Sequence, residues 1–130
     1  MRTGSFGNRN ADEMIKTLLE PKRGAISSIR SKLLAMNLAE DVEFDSINIE
    51  PVLIYSSQDT RRVFVKHKWE TVALVRLVTE KEADEFLAEN QDPKRSVERN
   101  ELDGTMWAKF PLPQGEDEAL KVLARIIGRD

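Results

Sequence analysis

The chain has 130 residues, of which 33% are charged and 40% apolar, and a net charge of −3. This length predicts one domain that can bury a core without metals or crosslinks. The absence of cysteine excludes a disulfide framework, a thiolate metal site and a thiol nucleophile. No apolar run approaches the roughly 20 residues that span a bilayer, and no signal-peptide core follows Met1. We therefore expect a soluble, cytoplasmic protein.

The first 60 residues predict a disordered tail, two helices and one strand. Residues 1–9 lack periodicity and form the tail, which leaves a single domain over residues 10–130. Asn10 and Glu13 form a capping box that starts a short helix, and Pro21 ends it and opens a second helix to about residue 37. We interpret residues 38–45 as an acidic connector. Residues 45–55 alternate as a strand, which Pro51 makes an edge strand or bulged.

Residues 61–78 predict a β-hairpin at the centre of the sheet. On its first arm, Val63 and Val65 point one way, while the other face carries Arg62, Phe64 and Lys66. The second arm, residues 71–78, is a nearly continuous apolar run, which is typical of a strand covered on both faces. A loop over residues 67–70 joins the arms and carries the only histidine.

The remaining chain predicts a helix, a second hairpin and a last helix. A capping box of Thr79 and Glu82 starts a helix to about residue 90. Residues 96–102 predict a polar edge strand, Asp103-Gly104 a two-residue turn, and residues 105–112 another strand. Residues 116–127 form the last helix, with acids in its first turn. The order ααβββαββα predicts an α+β fold with a mainly antiparallel, five-stranded sheet and helices packed on it.

From the hairpin onward the chain resembles a known group of small domains. Residues 82–87 (EADEFL) and 107–112 (WAKFPL), followed by a helix with an acidic start, are similar to the YjbR/MmcQ-like families and to related "predicted transport protein" domains. The resemblance covers roughly residues 30–127 and depends on element order and a few apolar positions. It implies an α+β domain with no known catalytic activity and, at most, DNA or ligand binding. It transfers no functional residue: Trp107 fits the family pattern, whereas His67 lies too early.

The sequence contains no recognisable catalytic motif. A single histidine excludes a histidine metal cluster, and we interpret His67 as a solvated loop residue because no activating partner accompanies it. Asp41, Glu43 and Asp45 alternate, so an extended backbone would project all three carboxylates to one side, where Mg²⁺ or Ca²⁺ could bind. No fourth ligand or glycine turn supports that site. We therefore expect no catalytic residue, no metal and no cofactor.

Charge is segregated along the chain. Residues 61–79 carry five basic and one acidic side chains, a net of +4, and residues 38–60 carry six acids and no base, a net of −6. Our first hypothesis is a non-catalytic domain that binds nucleic acid through a basic and aromatic hairpin face formed by Arg61, Arg62, Phe64, Lys66, Lys68 and Trp69. In the alternative interpretation these charges are merely solvated and Phe64 packs under the terminal helix.

Two other functions stay open. The alternating acidic and basic segments suit a module that pairs with a protein partner or with a second copy of itself. A small-ligand pocket near Tyr55, Trp69 and Trp107 is the third hypothesis. The second helix offers a second basic surface, formed by Lys22, Arg23, Arg30 and Lys32. Charged residues on the outer face of a helix usually only contact solvent. We expect no membrane partner.

Overall fold

The computed structural model describes residues 8–89 and 96–128 as an α+β fold. The elements in chain order are α1 (Asn8–Lys16), α2 (Lys22–Ala35), β1 (Ala39–Asp45), β2 (Glu50–Ser57), β3 (Thr60–Lys66), β4 (Val72–Leu77), α3 (Glu80–Glu89), β5 (Ser96–Arg99), β6 (Met106–Pro111) and α4 (Glu116–Gly128). The strands form one sheet in the order β1-β2-β3-β4-β6-β5, with every neighbouring pair antiparallel. The predicted class, antiparallel sheet and central hairpin are confirmed.

The sheet has six strands in the described ranges, so the prediction of five is wrong. The additional strand is β1, which we interpreted as an acidic connector; it pairs with β2 from Ala39↔Ser56 to Asp45↔Glu50. An edge strand needs few apolar residues on its inner face, and here Val42 is buried in the core. The alternating acids between its apolar residues obscured this pattern in the sequence.

Strand β2 is also placed differently from the prediction. It lies between β1 and β3 rather than at an edge, and its register shift falls at Tyr55/Ser56, not at Pro51. Pro51 pairs with Phe44 of β1, whereas the β2–β3 register begins only at Leu53. An interior strand tolerates this proline because it lies beyond the end of the β3 ladder.

The predicted two-residue turn at Asp103-Gly104 is wrong as well. The last β5–β6 pair is Arg99↔Met106, so residues 100–105 form a six-residue loop. The N–H of Gly104 donates to the carbonyl of Asn100 at 2.8 Å, and the N–H of Asn100 donates to the carbonyl of Thr105 at 2.9 Å. Gly104 has φ 74°, a conformation that glycine adopts without the penalty of a side chain.

The helix starts agree only partly with the capping patterns. Helix α1 begins at Asn8, two residues before its predicted cap, while residues 1–7 of the predicted tail and the Asn10 side chain lie outside the described part of the chain. The capping box of α3 is confirmed. The Thr79 hydroxyl accepts the N–H of Glu82 at 3.2 Å, and the Glu82 carboxylate accepts the N–H of Val78 at 2.9 Å.

All four helices contribute to one apolar core on a single side of the sheet. Buried side chains of the helices pack on alternate residues of the strands, and the largest fully buried ones include Ile26, Ile29, Leu33, Leu53, Tyr55, Phe110 and Leu123. We call this side the helix face. In the described ranges, every buried apolar side chain of a helix belongs to this core. The opposite side, which we call the open face, receives none of them.

Candidate functional site

The open face is apolar at its centre although no described helix covers it. Val52, Ile54, Leu74 and Trp107 project from it, and each is at most 7% exposed. Phe64 stacks on Trp107 with ring centroids 4.4 Å apart and an interplanar angle of 15°. Antiparallel sheets with one solvated face usually alternate apolar residues inward and polar residues outward. This sheet departs from that rule in the middle of its outer face.

Curvature of the sheet explains the burial of these side chains. A single depression is lined by Glu43 and Phe44 of β1 and by Asn100, which follows β5. Strands β1 and β5 are the two outermost strands, and at about 4.8 Å per strand a flat sheet would hold β1 about 24 Å from β5 and from the loop that Asn100 begins. The sheet therefore curls its open face into a trough.

The trough contains two adjoining depressions with volumes of about 340 and 230 Å³. Both are lined by Asn48 and Lys66, which stand between them. The smaller depression has Val72 and Leu74 among its apolar residues and both cations and carboxylates in its walls. The charged groups are Glu50, Lys66, Glu70, Glu98 and Lys109.

Ion pairs neutralise most of the trough's cations. Arg61 of β3 donates to Glu43 of β1, and Lys66 Nζ lies 3.6 Å from a carboxylate oxygen of Asp45. Because β2 separates β1 from β3, these side chains cross it above the open face. Lys109 Nζ lies 2.7 Å from Glu70. Glu43 and Asp45, which precede the hairpin in sequence, therefore also flank it in space.

The same pairs bear on the alternating acids of β1. Asp41, Glu43 and Asp45 do share one side of the strand, but two of them hold cations of β3. In residues 8–89 and 96–128, no group of three or more acidic or histidine side chains could hold a metal ion.

The six residues of the predicted nucleic-acid face fall into two groups. Arg61, Arg62, Phe64 and Lys66 belong to the open face, where Arg62 is buried. The interpretation that places Phe64 under the terminal helix is wrong, because its ring stacks on Trp107 on the other side of the sheet. Lys68 and Trp69 lie in the β3–β4 loop, with Lys68 Nζ 5.0 Å from the centre of the Trp69 ring.

The three aromatic residues of the predicted ligand pocket do not meet. Trp107 lies on the open face under Phe64 and lines neither depression, Trp69, 68% exposed, lines the smaller depression, and Tyr55 is fully buried on the helix face. The Tyr55 hydroxyl donates to Glu40 at 2.7 Å. Burial, followed by that hydrogen bond, raises the pKa of Tyr55 far above its usual range. Tyr55 therefore belongs to a structural network rather than to a binding site.

That network also uses a cation from the predicted basic helix. Arg30 donates to both oxygens of Glu40, at 2.8 and 3.0 Å, and to Asp12 of α1. Its hydrogen bond to Glu40 raises the pKa of Arg30. Lys32 pairs with Glu116 of α4 at 2.6 Å, and Lys22 donates to the carbonyl of Lys68 at 3.2 Å. These three cations therefore bind groups of other segments instead of only contacting solvent.

His67 is not the solvated loop residue that we expected. Its ring is half-buried, its Nε2 atom is buried without a hydrogen-bond partner, and burial lowers its pKa. Glu50 opposes that shift, while Lys22 and Lys68 add to it. Glu50 itself is 1% exposed and accepts the backbone N–H groups of His67 at 3.2 Å and Lys68 at 3.4 Å.

Sequence reasoning did not identify Asn48, Glu50, Glu98 and Lys109 as parts of a site. They come from four different segments, and no local spacing relates them. The alternation of strand β6, which sets Trp107 and Lys109 on one face, was the only available signal.

No protein-family model, no curated protein and no solved structure matches the chain. The YjbR-like resemblance therefore stays a prediction. Within the described ranges, none of the helices has the length and apolar character required to cross a membrane.

Proposed function

We propose that this chain is a non-catalytic binding domain that takes a small organic ligand in the trough of its open face. The apolar floor of that trough supports the proposal, because Ile54 and Leu74 line its depressions on a face where no described helix packs. Small-molecule sites are typically lined by apolar side chains with a few charged or polar groups among them. The curled sheet supplies the concavity that small-molecule sites require.

The lining of the smaller depression indicates the ligand class. Lys66 and Lys109 bring positive charge to it, Glu50 and Glu98 bring negative charge, and Val72 and Leu74 supply apolar contact. A zwitterion with an apolar body, such as an amino acid or a dipeptide, complements all three features. The volume of about 230 Å³ favours a small molecule, since drug-sized ligands fill about 300–1,000 Å³.

Nucleic-acid binding through the hairpin is the second candidate. Its support is Trp69, which is exposed and carries the Lys68 ammonium over its ring, because stacking rings beside cations are typical of single-strand binders. Glu43 and Asp45 count against it, since these acids lie among the cations of that face and would repel a chain of phosphates, whereas a single ligand carboxylate replaces one acid on one cation. We therefore favour the trough.

The test is a titration of the wild-type chain, in which Trp69 lines the smaller depression, with a panel of amino acids and dipeptides. We expect a saturable change in tryptophan emission and a rise in Tm, because a ligand that binds only the folded state stabilises it. Lys109→Ala, which removes a cation from the depression, should weaken the binding at least tenfold. Phe86→Leu on the helix face is the matched control and should bind as the parent does.

A labelled single strand titrated in parallel separates the two candidates. If emission and Tm stay unchanged across the panel, the trough is not the binding site for these ligands. If the anisotropy of the labelled strand also rises steeply at low salt, nucleic-acid binding through the hairpin becomes the favoured function. Charge reversal at Lys66 and Lys68 should then weaken the binding and flatten its salt dependence.

A further inference from the structure

Two loops at one end of the sheet carry a cluster of exposed apolar side chains. Ile47 is 85% exposed, Ile49 61% and Trp69 68%. Ile47 and Ile49 belong to the β1–β2 turn and Trp69 to the β3–β4 loop. We call these three residues the loop patch.

Hydrogen bonds join the two loops into one surface. The indole N–H of Trp69 donates to the carbonyl of Asn48 at 2.8 Å, and Lys68 Nζ donates to the carbonyl of Ile49 at 2.9 Å. The buried carboxylate of Glu50 accepts two N–H groups from the facing loop. The loop patch is therefore held in place before any partner arrives, which lowers the entropy cost of docking.

Ile49 is unfavourable in the isolated chain for two reasons. Its φ of 54° lies in the left-handed region, where a β-branched side chain is strained and Asn or Gly is preferred. Its side chain also stays mostly in water. Strained residues of this kind cluster at functional sites, and covering the loop patch would give Ile49 the burial that the single chain lacks.

A surface of opposite character lies between α3 and α4. Its floor is formed by Leu77, Phe86 and Ile126, and its rim carries Glu82, Glu85 and Glu89. We call these six residues the acidic groove; Arg125 is a cation on the same lining. Helix α3 has five acids and one lysine, so its net charge is −4. The free volume of the groove, about 20 Å³, accommodates the end of one aliphatic side chain.

Strand β4 keeps the two surfaces apart in one chain. Val72, at its start, follows the loop that carries Trp69, and Leu77, at its end, lies in the acidic groove. Six residues of a strand extend about 20 Å. The loop patch therefore cannot reach the acidic groove of its own chain.

We propose that a second copy of this chain docks head to tail, with the loop patch of one copy covering the acidic groove of the next. The apolar residues of the patch meet an apolar floor, and Lys22 and Lys68 beside the patch face the acids of α3. Because different surfaces meet, the contact is heterologous and builds either a closed ring or an open chain. This assembly goes beyond ligand binding in the trough.

Sedimentation velocity on the full chain across concentration and salt tests the proposal. We expect the average mass to rise with concentration and to fall as salt increases, since screening weakens the attraction of Lys68 and Lys22 for α3. Ile49→Asn should raise Tm, because Asn tolerates the left-handed conformation, and should weaken self-association at least tenfold. Leu102→Asn removes a similarly exposed side chain outside both surfaces and should leave the association unchanged.

A mixing experiment distinguishes head-to-tail docking from a symmetric dimer. The Ile49→Asn chain keeps an intact acidic groove, and a Glu85→Lys, Glu89→Lys chain keeps an intact loop patch. Each alone should be monomeric, whereas an equal mixture should form a species of two chains and grow no further. A wild-type chain that stays monomeric at low salt and high concentration would overturn the proposal, as would a mixture that forms no heterodimer. Loss of vesicle or single-strand binding in Ile49→Asn, without any self-association, would assign the loop patch to a membrane or a nucleic acid.

Discussion

The two faces of the sheet are buried by different means. On the helix face, side chains such as Leu53 and Phe110 lie under helices that come from other parts of the chain, and both are fully buried. On the open face, Ile54 and Trp107 are almost as well buried, yet they are covered only by the curl of the sheet and by long side chains crossing it.

This difference separates stability from function. The helix face has an apolar core with the Arg30–Glu40–Tyr55 network at its margin, and changes there should cost mainly folding free energy. The open face has an apolar floor with charged walls, and a ligand that exchanges an ion-pair partner there leaves the sheet folded. Variants on the two faces should therefore behave differently.

The largest expected effect comes from truncating one phenylalanine on each face of the sheet. Phe110→Ala on the helix face should lower the free energy of unfolding by about 4 kcal/mol. The Phe110 ring is fully buried against Phe86, so its removal leaves a cavity in the core. Phe64→Ala should cost about 2 kcal/mol, because Phe64 is only partly buried and loses one stacking contact. Urea unfolding measures both. Equal losses would contradict the distinction between the faces.

The buried network offers the next test. Glu40→Gln should destabilise the fold by about 2 kcal/mol, because the Glu40 side chain is fully buried and Arg30 would keep Asp12 as its only charged partner, with an amide NH2 facing one of its donors. Tyr55→Phe, which removes only the hydroxyl donor to Glu40, should cost about 1 kcal/mol and is the matched milder change. Ligand affinity in the trough should stay unchanged in both variants. A loss of affinity in either would show that the two faces are coupled.

A smaller effect should appear in the pH dependence of stability. Burial lowers the native pKa of His67 below the ordinary value of 6.5, so the unfolded chain binds more protons between the two values. The free energy of unfolding should therefore fall as pH drops below about 6.5, with a slope smaller than about 1.4 kcal/mol per pH unit. Urea unfolding of the wild type and of His67→Gln between pH 5.5 and 7 measures this slope. Identical slopes in the two proteins would assign the pH dependence to other groups.

Local patterns predicted most elements because their causes are local. The alternation of Val63 and Val65 against Phe64 and Lys66 identified the faces of β3, and the Thr79–Glu82 capping box located the start of α3. Strand β1 was missed because its acids obscured a short apolar alternation. Only its pairing with β2 and the cations of β3 make that strand favourable.

The sequence by itself determined the class of fold, the central antiparallel hairpin and the residues that β3 turns to either side. Those properties follow from the period of two in a strand and from capping groups a few residues apart. Only the tertiary structure decided that Glu43 and Asp45 neutralise the hairpin, that Tyr55 and Trp107 lie on opposite faces, and that the sheet curls into a trough. Each of these depends on strand order and curvature, which join residues distant in the chain and leave no mark in local spacing.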